Sequence, residues 1–247
     1  MKKIMITGAT GDVGRSLCDS LSDCSYDLLT CARTQLTDWP HPFEAFDITD
    51  LEAFTQKLKG VSVLVHLAGQ REPSAGFEDL VGPNIRGSYN AFEAALRSDV
   101  QRVVFASSVN VSNGLTQEQP LSDEVICPSN LYGASKAFGE SLARYYSQTH
   151  GISCICLRMG WTLPLAESKK QLSDPPFDSS LARKVYLSAE DFAQLVQRVI
   201  EAPEDLRFGI FNALSNNRQK LLDISLAQSK LGYKPKHDAY AILDAST

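Results

Sequence analysis

Short apolar runs alternate with amphipathic stretches along most of this chain. The runs that predict β-strands are residues 4–6, 26–32, 43–47, 61–67, 102–106 and 152–157. The run 61–67 is almost continuously apolar, which is typical of a parallel strand buried on both faces. Stretches with helical spacing of apolar residues lie between the runs, near 16–21, 50–58, 77–97 and 131–149. This alternation predicts an α/β fold, a Rossmann-like doubly wound parallel sheet with right-handed crossovers.

The pattern changes after residue 160. Residues 161–187 contain Pro164, Pro175 and Pro176 and predict a loop. Helices are predicted at 188–201 and at 219–231, with a strand near 208–211 between them. We therefore expect a dinucleotide-binding domain over residues 1–160 and a small C-terminal substrate-binding part over 161–247, packed together as one structural unit.

Size, charge and cysteine content narrow the class of protein. A chain of 247 residues suits one large domain, and its net charge of −5 favours neither nucleic acid nor an anionic membrane as a partner. No apolar run approaches the roughly 18 residues of a membrane-spanning helix. The six cysteines form no Cys-x-x-Cys pair, which favours a reduced cytoplasmic protein without a metal site.

Three glycines follow the first predicted strand at intervals of three residues. Gly8, Gly11 and Gly14 allow a sharp turn, and Asp12 and Val13 begin the helix that follows. The free N–H groups at a helix N-terminus suit a pyrophosphate, so strand, glycine turn and helix predict dinucleotide binding. An ordinary glycine-rich turn is the alternative.

The residue after the second predicted strand discriminates between the two nicotinamide cofactors. An acid at this place would hold the ribose 2′-hydroxyl of NAD, whereas an arginine accommodates the 2′-phosphate of NADP. Arg33 stands here, and no acid occurs from Leu28 to Thr37. The sequence therefore favours NADP, with NAD as the alternative if Arg33 is a plain surface residue. Asp47 and Ile48 close the third strand and are placed to meet the adenine ring; a cap for the helix that follows is the alternative.

A tyrosine and a lysine four residues apart suggest acid–base chemistry. Tyr132 and Lys136 lie on one face of the predicted helix 131–149. The lysine charge would lower the pKa of the phenol, which could then exchange a proton with a carbinol oxygen. Ser107 and Ser108 close the fifth strand at the sheet edge where ligands bind in such folds, and a serine hydroxyl there could hold the same substrate oxygen.

These motifs together resemble the extended short-chain dehydrogenases/reductases of the NAD-dependent epimerase/dehydratase type. Within that family the chain is most similar to uronate dehydrogenases, which share the run at 131–140 and a short C-terminal part. The matching segments are 7–14, 47–48, 66–69, 84–87, 104–108, 131–136, 157–160, 187–192 and 230–235.

The resemblance implies roles for particular residues. Tyr132 would be the acid/base, Lys136 its tuner and a cofactor ribose ligand, and Ser108 the partner of the substrate oxygen. Leu67, Ala68 and Gly69 would lie along the cofactor. On the substrate side we expect contacts from Gln70, Ser108, Asn110, Tyr132 and Arg183. The helices near 77–97 and 131–149 pair across a two-fold axis in the family, which implies a homodimer.

The favoured function is an NAD(P)-dependent oxidoreductase that moves a hydride to or from a carbinol or carbonyl carbon of a small polar substrate, such as a sugar or sugar acid. A nucleotide-sugar epimerase and a non-catalytic NAD(P)-binding sensor are the alternatives. A sensor requires only the glycine turn, so the presence of Ser108, Tyr132 and Lys136 favours an enzyme.

Overall fold

A computed structural model describes residues 1–114, 122–174 and 180–245. Its strands are β1 (Lys2–Thr7), β2 (Tyr26–Ala32), β3 (Phe43–Ala45), β4 (Val63–His66), β5 (Arg102–Ser108), β6 (Ser153–Met159), β7 (Trp161–Leu163), β8 (Tyr186–Ser188) and β9 (Phe208–Ala213). Seven of them form one sheet in the order β3-β2-β1-β4-β5-β6-β9, and each pairing in it is parallel. The predicted doubly wound sheet is confirmed.

Helices cover both faces of this sheet. They are α1 (Asp12–Ser22), α2 (Leu51–Lys57), α3 (Phe77–Leu80), α4 (Gly87–Arg97), α5 (Leu131–His150), α6 (Leu165–Ser173), α7 (Ser180–Lys184), α8 (Ala189–Glu201), α9 (Ser225–Leu231) and α10 (Ala239–Asp244). One core cluster packs α1, α8 and α9 against the sheet, and a second packs α2, α4 and α5 against the other face. Because β4 and β5 are buried along their whole length, their apolar side chains stabilise both cores.

The predicted helix at 77–97 is interrupted. A π-helical turn, Val81–Arg86, separates α3 from α4. Pro83 lies in this turn and has no N–H to donate, which explains why regular α-helical hydrogen bonding does not run through it. The wide turn carries the buried side chain of Asn84 toward α5.

The prediction of a loop at 161–187 is wrong for most of the part that the structure describes. Strands β7 and β8 pair in parallel there, and α6 and α7 lie between them. Pro164 directly precedes α6, a place where proline's missing N–H costs the helix nothing. Pro175 and Pro176 lie outside the described residues.

The last predicted helix, 219–231, is shorter than expected, and a further helix follows it. Helix α9 begins at Ser225 because the carboxylate of Asp223 accepts hydrogen bonds from the backbone N–H and the hydroxyl of Ser225. Leu222 and Ile224 are buried in a small separate cluster. Helix α10 was not predicted, and the side chain of Asp238 caps its start.

The C-terminal residues pack directly on the rest of the protein. Strand β9 pairs with β6 along its length and so forms the last strand of the main sheet.

Among the described residues, no helix is both long enough and apolar enough to cross a membrane.

Candidate active site

The glycine turn joins β1 to α1 at the carboxyl edge of the sheet. Gly8 has a φ of +70°, and a Cβ there would lie 2.7 Å from the backbone nitrogen of Ala68. A Cβ on Gly14 would collide with the carbonyl oxygen of Gly8. These two positions therefore require glycine, one for the backbone conformation and the close approach to the end of β4, the other for packing of α1 on the turn.

The start of α1 fits a dinucleotide pyrophosphate. Gly11 is its N-cap, and no side chain in the described part of the protein caps the first N–H groups of the helix. Asp12, the first residue of the helix, accepts a hydrogen bond of 2.8 Å from Nη1 of Arg71, which belongs to the loop after β4. This exposed ion pair neutralises a carboxylate beside the helix N-terminus, where an anion is favoured.

Arg33, Asp47 and Ile48 lie beside the ends of β2 and β3. Arg33 is exposed directly after β2, and its charge contributes to holding the pKa of Asp47 below its usual range. Most of that lowering comes from the backbone N–H of Thr49, which donates to the carboxylate. Ile48 is buried against Gly87 at the start of α4, so its side chain shapes the floor of this edge.

Leu67, Ala68 and Gly69 continue β4 toward α5. Leu67 and Ala68 are half-buried, while Gly69 is exposed. A Cβ on Gly69 would lie 3.4 Å from Nζ of Lys136, so this glycine lets the lysine approach the backbone. Asn84 accepts from the N–H of Gln70 and donates to the Ser135 hydroxyl, which fixes this loop to α5.

Ser108, Tyr132 and Lys136 come together where β5 ends and α5 begins. Nζ of Lys136 lies 5.8 Å from the centre of the Tyr132 ring, and Ser108 lies close enough to the Tyr132 hydroxyl to influence its pKa. Each of the three side chains is largely buried. Asn130 caps α5 through the N–H of Gly133 and thereby fixes the first turn, which carries the tyrosine.

Burial dominates the ionisation of Tyr132 and Lys136. It raises the pKa of Tyr132, although the nearby Ser108 hydroxyl and the charge of Arg71 both act to lower it. It also lowers the pKa of Lys136 to about 8. The expectation that the lysine brings the tyrosine pKa below its ordinary value is therefore wrong for the protein alone, because desolvation outweighs the charge effects.

Residues 4–162 match the model of the NAD dependent epimerase/dehydratase family. This chain belongs to that family. The match spans the glycine turn, the end of β4 and the segment from Ser108 to Lys136, which are the parts of the sequence on which the resemblance rests.

Individual relatives agree with this assignment over nearly the whole chain. The chain is 30% identical to the L-arabinose 1-dehydrogenase (NAD(P)(+)) of Haloferax volcanii, covering 99% of this chain and 100% of that protein. It is 31% identical to a uronate dehydrogenase of Agrobacterium fabrum, covering 98% of this chain and 87% of that protein. The crystal structure of uronate dehydrogenase from Agrobacterium tumefaciens superposes with a TM-score of 0.86, at 30% identity, over 100% of this chain and 90% of that one.

Family membership and the arrangement of Ser108, Tyr132 and Lys136 confirm the prediction of an NAD(P)-dependent oxidoreductase of the extended short-chain type. The residues fit a nicotinamide dinucleotide on structural grounds as well. The positive φ of Gly8, and an α1 N-terminus that no described side chain caps, shape the turn for a pyrophosphate. Lys136 would hold the cofactor ribose, and the bound cofactor would supply the hydride acceptor or donor.

Three residues predicted to contact the substrate, Gln70, Asn110 and Arg183, lie in surroundings that differ from one another. Gln70 uses its amide oxygen to accept the N–H groups of Arg71 and Glu72, so it shapes its own loop. Asn110 is hydrogen-bonded to Ser108. Arg183 is half-buried on α7. Substrate contact by these three side chains stays a prediction.

His66 at the end of β4 is a residue that sequence reasoning missed. Its Nδ1 lies 2.9 Å from Oγ1 of Thr7, and its ring stacks on Phe105. Burial, together with the charge of Lys136, lowers its pKa to about 3, so the ring stays neutral. A polar residue that closes an otherwise apolar strand was the available signal, since the carboxyl edge of such a sheet is where ligands bind.

A buried ion pair beneath the site was missed as well. Arg158 on β6 and Glu140 on α5 form two hydrogen bonds of 2.8 Å, and neither side chain is accessible to more than 2%. Glu140 also accepts from the Ser107 hydroxyl at 2.6 Å. Glu140 therefore ties α5 to β6 through Arg158 and to β5, the strand that carries Ser108, through Ser107. The available signal was an arginine in an apolar strand and a glutamate in an apolar part of a helix. Such charged residues are buried only when they are paired.

Proposed function

We propose that this enzyme oxidises an aldose or a sugar acid at a ring carbinol carbon, with NADP as the preferred cofactor. One observation carries the proposal: Ser108, Tyr132 and Lys136 lie together at the carboxyl edge of the sheet, beside a turn shaped for a dinucleotide. Relatives at about 30% identity are named as arabinose and uronate dehydrogenases, which supports a sugar substrate. The cysteines described by the structure are all free, which fits the cytoplasmic location that we propose.

In this proposal the residues act on the substrate oxygen. Ser108 would orient the carbinol oxygen and the Tyr132 oxygen would accept its proton, and a bound nicotinamide would supply the hydride acceptor. Burial of Tyr132 and Lys136 keeps bulk water from the transferred proton. In the reverse direction Tyr132 returns the proton to the carbonyl oxygen.

A substrate screen tests this proposal. Aldoses, galacturonate, glucuronate, sugar phosphates and simple alcohols are incubated with NAD⁺ or NADP⁺, and the reduced cofactor is read at 340 nm. We expect turnover with at least one aldose or uronate and little with simple alcohols. Turnover with simple alcohols alone would contradict a sugar substrate.

Arg33 gives the expected cofactor preference. A guanidinium can bind a 2′-phosphate with two hydrogen bonds, and one such charge-assisted contact contributes roughly 1.5–3 kcal/mol, or about 10- to 150-fold in affinity. Arg15 lies on the neighbouring helix, with its guanidinium 5.3 Å above the Trp39 ring, and adds positive charge beside the loop after β2. We expect NADP(H) to bind more tightly than NAD(H), and Arg33→Asp to reverse this order.

Calorimetric titration of both cofactors into wild type and Arg33→Asp measures the preference. Titration of 2′,5′-ADP and 5′-ADP isolates the contribution of the 2′-phosphate. If wild type binds NAD(H) more tightly, or if the substitution leaves the ratio unchanged, Arg33 is a surface residue without a role in cofactor choice.

The exposed apolar residues support a homodimer. Among the apolar side chains of the two segments expected to pair, Leu80 and Phe92 are buried within the protein, whereas Tyr89, Phe138 and Tyr145 are exposed. Phe77 on α3 and Leu131 on α5 extend this face, a stripe that soluble monomers seldom leave uncovered. We propose that a second copy covers it.

Light scattering at micromolar concentration should give about twice the protomer mass of 27.1 kDa. Phe138→Glu combined with Tyr145→Glu should halve that mass, because two carboxylates would face an apolar partner surface. A wild-type protein at the protomer mass would rule the dimer out.

A further inference from the structure

The crevice for a dinucleotide lies where the chain leaves β1 and β4 for opposite faces of the sheet. The two strands are parallel neighbours. Helix α1 follows β1 and packs in one core cluster, whereas α4, which the chain reaches after β4, packs in the other. The gap between two such connections, at the carboxyl edge, is where ligands bind in open α/β sheets. The start of α1 is therefore one wall of the crevice, and loop 67–76, between β4 and α3, is the other.

Hydrogen bonds between the two strand ends close the bottom of this crevice. Nδ1 of His66 lies 2.9 Å from Oγ1 of Thr7, and the N–H of Ala68 donates to the same oxygen at 3.3 Å. The N–H of Leu67 donates to the carbonyl oxygen of Thr7 at 3.3 Å. The strand ends are thus held together, and the space for a ligand lies beyond them, between α1 and the loop.

An ion pair joins the two walls of the crevice. Nη1 of Arg71, in loop 67–76, donates to Oδ2 of Asp12, the first residue of α1, at 2.8 Å. The two side chains are 75% and 70% exposed. Within the described parts of the chain, the Asp12 carboxylate is the one hydrogen-bond partner of the guanidinium. We call this ion pair the strap, because a dinucleotide that lies along the crevice has to pass it.

The backbone beneath the strap is fixed, although the arginine side chain is exposed. The N–H of Gln70 donates to Oδ1 of Asn84 at 2.7 Å, and Nδ2 of Asn84 donates to the carbonyl oxygen of Gln70 at 3.0 Å. The amide oxygen of Gln70 accepts from the N–H groups of Arg71 and Glu72. A change of partner by the guanidinium therefore requires only a movement of the Arg71 side chain.

Asp12 stands where a diphosphate is expected. The first N–H groups of α1, which no described side chain caps, favour an anion at this helix terminus. In the free protein the Asp12 carboxylate supplies a negative charge here, and a diphosphate brings negative charge to the same place. The two anions repel each other, and both attract Arg71.

The strengths of the two contacts favour the diphosphate. An exposed ion pair such as the strap contributes roughly fivefold or less to an equilibrium constant. A charge-assisted hydrogen bond from a guanidinium to a phosphate contributes about 10- to 150-fold. A diphosphate is therefore expected to replace the carboxylate as the partner of Arg71.

We propose that the Asp12 side chain is a built-in competitor of the cofactor diphosphate. In the free protein its carboxylate holds Arg71 across the crevice, and a dinucleotide that binds replaces the carboxylate as the partner of the guanidinium. The strap thus lowers the affinity for the cofactor and couples binding to the opening of one ion pair. The inference rests on the binding of a nicotinamide dinucleotide by this family, and neither on the proposed sugar substrate nor on the preference for NADP.

Calorimetric titration with ADP-ribose, which carries the diphosphate without the nicotinamide, tests the proposal. Asp12→Asn keeps the size of the side chain and removes its charge, so we expect ADP-ribose to bind roughly three- to tenfold more tightly than to wild type. Arg71→Gln removes the guanidinium and should weaken binding by about tenfold or more. Adenosine lacks both phosphates, and its affinity should change little in either variant.

Glu72→Gln is the matched control for a change of charge. Glu72 follows Arg71 in the same exposed loop, and its carboxylate accepts from the N–H and the hydroxyl of Ser74. Because this carboxylate lies outside the strap, its removal should change the affinity for ADP-ribose far less than Asp12→Asn does.

NMR of arginine side chains follows the change of partner directly. In protein labelled with ¹⁵N-arginine, the Nε–H signal of Arg71 is assigned by its loss in Arg71→Gln. We expect this signal to shift in Asp12→Asn, where the carboxylate is gone. In wild type it should shift when ADP-ribose is added and stay in place when adenosine is added.

Three results would overturn the proposal. An unchanged or lower affinity of Asp12→Asn for ADP-ribose would make the strap a plain surface pair or a support of the crevice. An equal gain after Glu72→Gln would show a general effect of charge. An Arg71 signal that ADP-ribose leaves in place would show that the guanidinium keeps its carboxylate. Because no substrate is used, these results stand whether or not the proposed sugar oxidation does.

Discussion

Tyr132→Phe is expected to lower kcat by about 10²- to 10⁴-fold, the range over which a positioned acid–base group contributes to catalysis. The substitution removes the hydroxyl that we propose as the acceptor of the substrate proton, while the ring keeps its place in the buried first turn of α5. The measurement is the initial rate of cofactor reduction with the substrate found in the screen.

Tyr145→Phe is the matched control, because it removes a phenol from an exposed position on the same helix. Its rate should equal that of wild type. Cofactor affinity of Tyr132→Phe should stay within about twofold, since the glycine turn and Lys136 are untouched. Normal turnover by Tyr132→Phe would remove the tyrosine from the mechanism.

Arg158→Met is expected to lower the free energy of unfolding by about 3–5 kcal/mol, the usual cost of leaving one member of a buried ion pair without its partner. Arg158 is fully buried, and it donates to Glu140, to the Ser112 hydroxyl and to the carbonyl oxygen of Val125. Methionine fills much of the volume but leaves the Glu140 carboxylate inside the protein with only Ser107 as a hydrogen-bond donor in the described network. Urea denaturation followed by circular dichroism measures the loss.

Two further variants show whether the lost charge pair is the cause. Arg158→Met combined with Glu140→Gln should recover a large part of the loss, because no uncompensated charge stays buried and the glutamine oxygen can still accept from Ser107. Arg97→Met breaks surface pairs with Glu52 and Glu93 and should cost far less. If Arg158→Met and Arg97→Met lowered the free energy of unfolding equally, burial of the Arg158–Glu140 pair would not be the cause of the loss.

The sheet was predictable because its signals are local. Apolar runs such as 61–67 and 102–106 are typical of strands buried on both faces, and the glycines at 8, 11 and 14 specify the turn between β1 and α1. The structure adds the reason for two of them, since side chains at Gly8 and Gly14 would collide with backbone atoms. The positions of Ser108, Tyr132 and Lys136 in the fold were also predictable. The end of β5 and the start of α5 can each be recognised from the local sequence.

The remaining parts depend on contacts between distant residues. The pairing of Arg158 with Glu140 joins a strand to a helix, and no local pattern specifies it. The hydrogen bonds of Asn110 lead to residues as far along the chain as Asn130. The prediction of a loop from 161 to 187 was wrong because strands of three residues are too short to show an apolar pattern. The prolines in this segment, by contrast, are a strong local signal for a loop. The tyrosine pKa was misjudged because the cost of burial is a property of the folded site.

The most direct test of the central claim follows the hydrogen atom itself. An aldose or uronate that turns over is supplied with deuterium at C1, and the products are analysed by NMR. A dehydrogenase is expected to release reduced cofactor carrying one deuterium at C4 of the nicotinamide ring, in step with oxidation of the sugar. If the sugar instead emerges with altered stereochemistry while no reduced cofactor accumulates, the protein is an epimerase and the proposed sugar oxidation is wrong.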